Sequence, residues 1–480
     1  NLGQALLDTG RVNQACVEFE RALALAGAPV QAELGLGRAL CLLGRHPEAG
    51  RCFERASRHP QAQAATHSQR CYASLLDPGL SAQQIVAVHR DYHKQVAAHL
   101  CPRSREFCNE RTGNRRLVLG YVSADFREHS VASFLLKWLA AHDRSRFKVV
   151  AYSDVPREDA TTKQIRGLVD EFHSVCHTSD AQLAEQVMAG RVDVLVDLAG
   201  HMQPNRLTVF ARRPAPVLLT YLGYPGTTGM SVFDGRITDD FADPTDDPDR
   251  VGPEHPVRVE GGLFCYTPPS DAPEVNALPA LSGDSVTFGC MNDVVKINPQ
   301  VLAIWGRILA SVPQARLLLK SRLLASADIR EHFTRLLCVH GATPDRIELL
   351  SATPTRHAHL QTYGRVDIAL DTFPYAGATT TAEALYMGIP VLTLAGIHHA
   401  GRLGVSLLAA VDLGDWVASA AEEYVAMAVT RARDLGALSR LRSSLRKRVC
   451  DSRLGDGTRV ARAIEGFARD RFQHWSQQLP

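Results

Sequence analysis

What this sequence lacks narrows its class first. None of its eleven cysteines forms a C-x-x-C pair, and the two closest are Cys101 and Cys108. That excludes a zinc-ribbon spacing and a disulfide scaffold, and it predicts a reducing, cytoplasmic setting. Charge of one sign is missing too: 53 Lys plus Arg face 51 Asp plus Glu, a formal +2. Such balance gives no electrostatic case for a nucleic-acid or membrane partner. No apolar stretch is long enough to span a bilayer. There is no initiator methionine, since the chain starts at Asn1, and the true N-terminus is expected upstream. What is present is a globular balance, 45% hydrophobic and 22% charged, in 480 residues, too many for a single core. Two to four domains are expected.

A repeat opens the chain. "LGQALLDTGRVNQACVEFERA" (2 to 22) returns as "LGRALCLLGRHPEAGRCFERA" (36 to 56), 34 residues later. That period, with small residues at helix contacts, reads as a tetratricopeptide-like pair. Gly10 and Gly44 should end the first helix of each unit, and Ala15 and Ala49 should let its partner pack closely. Residues 1–100 are therefore read as helical repeats, either scaffold or a groove for a protein partner, and 101–116 as a linker.

From 117 the pattern becomes short apolar runs separated by helical stretches, as buried parallel strands with crossover helices look. "LVLGYVSAD", "FKVVAYSD", "VDVLVDLAG" and "PVLLTYLGYPG" fall in a first half, 117–285, which ends in Pro- and Asp-rich stretches read as linker. "VTFGCMN", "ARLLLKS", "RIELLS", "VDIALDT" and "PVLTL" fall in a second, 286–455. The fold class is α/β: two Rossmann-like, doubly wound domains preceded by the helical repeats. Ligands are expected at the carboxyl ends of the strands. The basic run "LRSSLRKRV" (441 to 449) reads as a solvated helix face, and a last helix within 456–480 should cross back to the first half.

Several strand ends carry candidate chemistry. "VDIALDTFPYAGATTTAEALYMG" runs strand, turn and helix, so free N–H groups at the helix start could attract an anion. Gly377 and Ala378 keep the approach clear, Thr379 and Thr380 add hydroxyls, and Glu383 could accept from sugar hydroxyls. The segment suits a nucleoside diphosphate; equally, the threonines could be an ordinary N-cap. Lys296, in "NDVVKINP", could neutralise a phosphate leaving group or be a solvated loop lysine. His129, just before a helix, could act as base or orient an acceptor hydroxyl, or cap the helix. His201 carries the same alternatives, and the Gly-rich "YLGYPGTTG" around Tyr224 could let backbone approach a ligand.

Taken together, "GYVSADFREHS", "ARRPAPVLLTYLGYPGTTG", "NDVVKINP" and "LDTFPYAGATTTAEALYMGIPVLTLAG" resemble the O-linked N-acetylglucosaminyltransferases, glycosyltransferase family 41, most of all a bacterial homologue. The resemblance implies a GT-B fold, UDP-N-acetylglucosamine as donor substrate, inversion at the anomeric carbon, no metal or cofactor, and Ser or Thr of proteins as acceptor. It implies that Lys296 contacts the donor diphosphate, that Thr379 and Thr380 bind it, that Glu383 faces the ribose and that His359 packs on uracil. Leu222 and Gly223 match backbone positions near sugar and phosphate, and His129 matches a histidine proposed as base. Asp293, Arg356 and Ala378 depart from the family pattern beside the nucleotide, as do Ala199, His201 and Met202 around the sugar. His201 and Tyr224 are second-choice sugar or acceptor positions. The alternatives are a UDP-glucose-dependent protein N-glucosyltransferase and a non-catalytic nucleotide-sugar-binding protein.

Overall fold

The computed structural model of the protein describes residues 2–25, 27, 29–102, 106–112, 114–283 and 285–478. The chain folds into two compact units that interleave along the sequence. One holds 67–72, 81–267 and 453–480; the other holds 1–66, 73–80 and 268–452.

The first unit is built on a parallel seven-stranded sheet. Its strands are β1 Leu117–Ser123, β2 Phe147–Ser153, β3 Glu171–Ser174, β4 Val194–Asp197, β5 Val217–Thr220, β6 Gly235–Thr238 and β7 Pro256–Arg258, in the order β3-β2-β1-β4-β5-β6-β7. Central strands such as β4 and β5 are buried along their whole length and apolar up to their closing Asp197 and Thr220, because helices cover both faces. The order reverses between β1 and β4, so the loops after these strands, carrying His129 and His201, lie at the topological switch point. Helix Gly457–Gln477 packs here through Val460, Ala461, Ile464, Ala468 and Phe472, one apolar stripe at helical spacing. Its Glu465 accepts from Asp143 N (2.8 Å) and lies 3.0 Å from His142 Nδ1.

The second unit holds a parallel six-stranded sheet: β8 Thr287–Cys290, β9 Arg316–Lys320, β10 Ile347–Leu350, β11 Ile368–Leu370, β12 Val391–Leu394 and β13 Val417–Ala418, ordered β10-β9-β8-β11-β12-β13. Its switch point lies between β8 and β11. The loop after β8 carries Lys296 and the turn after β11 leads to Thr379 and Thr380.

Helices α1 Leu2–Asp8, α2 Val12–Leu23, α3 Val30–Leu42 and α4 His46–Ser57 keep the 34-residue period at their ends. Gly10 and Gly44 do end α1 and α3, with φ of +75° and +68°, and Ala15 and Ala49 are fully buried. Both glycine turns seat on the second unit. Ser326 Oγ donates to Gly10 O, a Cβ on Gly44 would lie 2.8 Å from Ile297 O, and His46 Nε2 is 2.7 Å from Val295 O. Residues 1–100, expected as one helical segment, are thus divided: α1–α4 group with the second sheet, whereas α5 Ala64–Ser74 contributes 67–72, and α6 Ala82–Tyr92 belongs, to the first.

Two other expectations change. The stretch 242–262, read as linker, contains helix Pro248–Val251 and β7, whose proline stands at the first position of an edge strand, where its missing N–H costs no ladder bond. The basic run sits on helix Leu435–Asp451, but its Arg442 is buried, donating to Asn276 O (2.8 Å), Asn276 Oδ1 (2.6 Å) and Val366 O (2.8 Å). The linker expected over 101–116 falls partly outside the described residues.

Candidate functional site

In the second unit the candidates gather around one helix start. Helix Thr379–Tyr386 begins after Ala378, and no side chain caps it. The N-cap reading of the threonines is thereby set aside: Thr380 Oγ1 donates sideways to Asn292 Oδ1, and Tyr363 OH reaches Thr380 O at 3.2 Å. The turn before the helix is fixed by Asp371, at the end of β11. Its carboxylate accepts from Thr372 N (2.8 Å), Gly377 N (2.7 Å), Asn292 Nδ2 (3.0 Å) and Thr393 Oγ1 (2.8 Å). A methyl group on Gly377 would come within 2.6 Å of Thr380 Oγ1 and 2.7 Å of Asn292 Oδ1, so only glycine fits between these side chains.

Lys296 reaches the same turn from β8's loop. Its Nζ donates to Ala376 O (2.9 Å) and lies 3.9 Å from the centre of the Tyr375 ring. Burial pulls its pKa down to about 8 while Asp371 and Asp293 pull upward. Burial also raises the Asp371 carboxyl, with Lys296 opposing. The loop is held firmly: Asp293 caps Val294–Lys296 through Val295 N (3.2 Å), and Asn298 caps helix Pro299–Ser311 while its Nδ2 donates to Phe373 O (2.7 Å). An ammonium and an uncapped helix start are therefore set on one turn, a geometry suited to a diphosphate.

Further along that helix lies a second cluster. Glu383, buried, takes Tyr363 OH at 3.2 Å and faces His359 Nε2 at 3.1 Å, with Arg356 Nη2 3.8 Å away. Lys320 Nζ lies 2.7 Å from the other ring nitrogen of His359. Asn292, Asp371, Tyr363 and Lys320 escaped the sequence reading. The "MND" and "ALDT" strand ends were visible signals for the first two; Lys320 closes a strand of leucines and carried none.

The first unit places His129 as the N-cap of helix Ser130–Ala140. Its Nδ1 is 3.3 Å from Val131 N and 3.4 Å from Asp125 Oδ1, a neighbour that sequence reading missed although it stands one helical turn before His129. Burial lowers the His129 pKa, with Asp125 pulling it up. Leu222 has φ of +76°, and a Cβ on Gly223 would lie 2.0 Å from Leu198 O. The glycine is therefore explained by contact between the loops after β4 and β5.

His201 and Tyr224 are corrected as sugar or acceptor positions. Both are buried beneath α5 and α6. His201 Nδ1 is 3.1 Å from Ser68 Oγ and its Nε2 is 2.9 Å from Thr228 O; Tyr224 OH is 2.6 Å from His89 Nε2, whose Nδ1 is 2.7 Å from Ile85 O. Burial holds His89 at about 4 and His201 well below the usual imidazole range. Cys71, His89 and His201 are of metal-ligating type and close together, but every ring nitrogen already has a partner, and a cation would have to displace the Tyr224 and Ser68 hydroxyls. Among the described residues no helix is long and apolar enough to cross a membrane.

Residues 73–252 and 276–464 match the family described as glycosyl transferase family 41. A Solanum lycopersicum protein named probable UDP-N-acetylglucosamine–peptide N-acetylglucosaminyltransferase SPINDLY is 39% identical over 420 residues, covering 87% of this chain and 45% of its own length. The Arabidopsis thaliana protein of that name is 39% identical over 420 residues, covering 87% and 46%. The chain thus spans a little under half the length of these relatives. Among solved structures, a Thermobaculum terrenum O-GlcNAc transferase mutant superposes with a TM-score of 0.90 at 34% identity, over 99% of this chain and 90% of that one.

Proposed function

The chain belongs to glycosyltransferase family 41, and on that premise we propose that it is an inverting transferase moving N-acetylglucosamine from UDP-N-acetylglucosamine to Ser or Thr hydroxyls of proteins. The observation that carries the reading is the Lys296 ammonium, held on Ala376 O directly before an uncapped helix start. The acceptor oxygen forms its bond to the anomeric carbon as that carbon's bond to the phosphate oxygen breaks, and UDP departs with the electron pair. Lys296, Thr379, Thr380 and the free N–H groups of the helix start meet the charge that develops on the diphosphate, without a metal. The Thr380 hydroxyl gives its one proton to Asn292, so Thr380 offers the diphosphate its backbone N–H; Asp371 fixes the turn, so these donors are in place before reaction and need not reorganise.

His359, Arg356 and Glu383 are assigned to the nucleoside end. The names of the plant relatives support the sugar and the peptide acceptor, and that of the Thermobaculum protein supports the sugar. His129 is assigned to the acceptor hydroxyl: the Asp125 carboxylate, 3.4 Å from Nδ1, favours a protonated ring as the hydroxyl gives up its proton. The helical repeats, read as tetratricopeptide-like, are assigned to acceptor-protein docking. All eleven cysteines are free, which supports action in the cytoplasm.

The test is a donor panel. The full chain is incubated with a Ser/Thr/Asn peptide library, EDTA and, separately, UDP-N-acetylglucosamine, UDP-glucose and guanine-nucleotide sugars, with products mapped by mass spectrometry. Transfer of N-acetylhexosamine to Ser or Thr is the expected result. Another sugar, an asparagine product, or UDP binding with no product from any donor would each overturn the assignment.

A further inference from the structure

His359 is gripped at both ring nitrogens, and one grip comes from a residue to which no role has so far been given. Lys320 is the last residue of β9 and is only 6% exposed, so its ammonium does not reach for solvent as a strand-end lysine ordinarily does. Instead Nζ meets His359 Nδ1 at 2.7 Å. An ammonium has donors and no acceptor, so the nitrogen it meets carries the lone pair. The ring proton is then on Nε2, which donates to Glu383 Oε2 at 3.1 Å. Glu383 is itself held by Tyr363 OH, with Arg356 beside its other oxygen. Tyr363 also meets the imidazole edge to face, at 5.5 Å and 81°. Burial lowers the Lys320 pKa, and the nearby Glu383 charge opposes that.

We propose that Lys320 is a positioning residue of the donor site, acting through His359. It fixes the neutral Nε2–H tautomer and the plane of the ring, so that a flat, rigid imidazole is presented to a planar nucleobase. Without Lys320, the ring can exchange tautomers and turn about its χ2 bond, and Glu383 loses the partner that it orients. The His359 side chain is 24% exposed, open enough to be touched, whereas Lys320 is too enclosed to touch a ligand itself. The inference rests on the reading of this cluster as the nucleoside end of the donor site, and its test separates the two.

The tautomer is read directly in the full-length protein, labelled with 15N-histidine, from two-bond nitrogen–proton correlations, with the His359 signal identified by its loss in His359→Gln. The wild-type chain should show a single Nε2–H pattern before any nucleotide is added. Lys320→Met should give an averaged pattern, a donor KM raised about tenfold and kcat changed less than twofold. An Nδ1–H or averaged pattern in the wild type overturns the proposal, and so does an unaltered pattern or unaltered KM in Lys320→Met. If Lys320→Met does not fold, Lys320→Gln and the wild-type spectrum decide alone. A wild-type Nε2–H pattern with no UDP binding by calorimetry would instead sink the nucleoside-site reading while leaving the Lys320–His359 coupling intact.

Discussion

Replacing Lys296 with Met should abolish transfer without weakening the fold. The ammonium's pKa falls from 10.5 to about 8 on folding, which corresponds to at most about 3 kcal/mol against the charged form, less after solvent screening of a part-exposed side chain. The folded value lies below the unfolded one, so between these pH values the unfolded chain binds the extra proton. The penalty is therefore complete below about pH 8 and fades as pH rises toward 10.5. Methionine removes it but also loses the bond to Ala376 O and the contact with Tyr375, together about 1–2 kcal/mol. The melting temperature at pH 7 should thus be unchanged or raised by a few degrees, and the advantage should shrink by pH 10. Transfer to peptide, followed with radiolabelled donor, should drop by about 10²–10³, the usual cost of losing one preorganised group facing developing charge. Wild-type transfer rates in Lys296→Met would refute the assignment. A melting temperature depressed more at pH 7 than at pH 10 would refute the electrostatic reasoning.

Other outcomes follow from the same geometry. Asp125→Asn should lower kcat at least about tenfold and leave the donor KM unchanged, because the carboxylate faces the His129 ring, with Arg127 its other charged neighbour; steady-state kinetics checks it. Tyr224→Phe should cost about 1–2 kcal/mol in a denaturant melt, since His89 Nε2 loses its partner, with UDP affinity by calorimetry unchanged. The folded-state pKa values of His89 and His201 lie below the ordinary value, so their neutral forms contribute stability that is present above pH 6.5 and is lost as pH falls through about 4 for His89 and through a lower range for His201. Melting temperature should accordingly decline steadily over pH 6.5 to 4, and a flat profile would contradict their burial. Gly44→Ala puts a methyl group at positive φ and 2.8 Å from Ile297 O, and should destabilise by about 1–3 kcal/mol in thermal melts.

The elements that sequence reading found are those whose burial is written in composition. Runs such as Val194–Asp197 and Val217–Thr220 are buried on both faces because helices cover both, and their short apolar stretches stand out from the helices and loops around them. Gly10 and Gly44 marked helix ends because few other residues adopt their backbone conformation readily. β7 went unseen because an edge strand tolerates proline and charge, so its letters match those of a loop. Arg442 went unseen because helical periodicity sorts residues by polarity and cannot register a guanidinium satisfied by Asn276 and Val366. His201 and Tyr224 looked like ligand groups at a Gly-rich strand end; what covers them is α5 and α6, more than 100 residues earlier in the chain. Lys296 and the 379–380 turn could be placed at strand ends from the sequence, and the neighbouring of β8 and β11 in the sheet is what brings these two loops together.

The seating of α3 and α4 on the Lys296 loop has a practical consequence. His46 and Gly44 rest on the carbonyls of Val295 and Ile297, the residues on either side of the lysine. Trimming the chain to its two sheets would therefore strip the outer support from the loop that carries Lys296. Force or occupancy applied to α3 and α4 arrives one residue from Lys296, so a change at these helices can alter the position of that lysine without any contact to it.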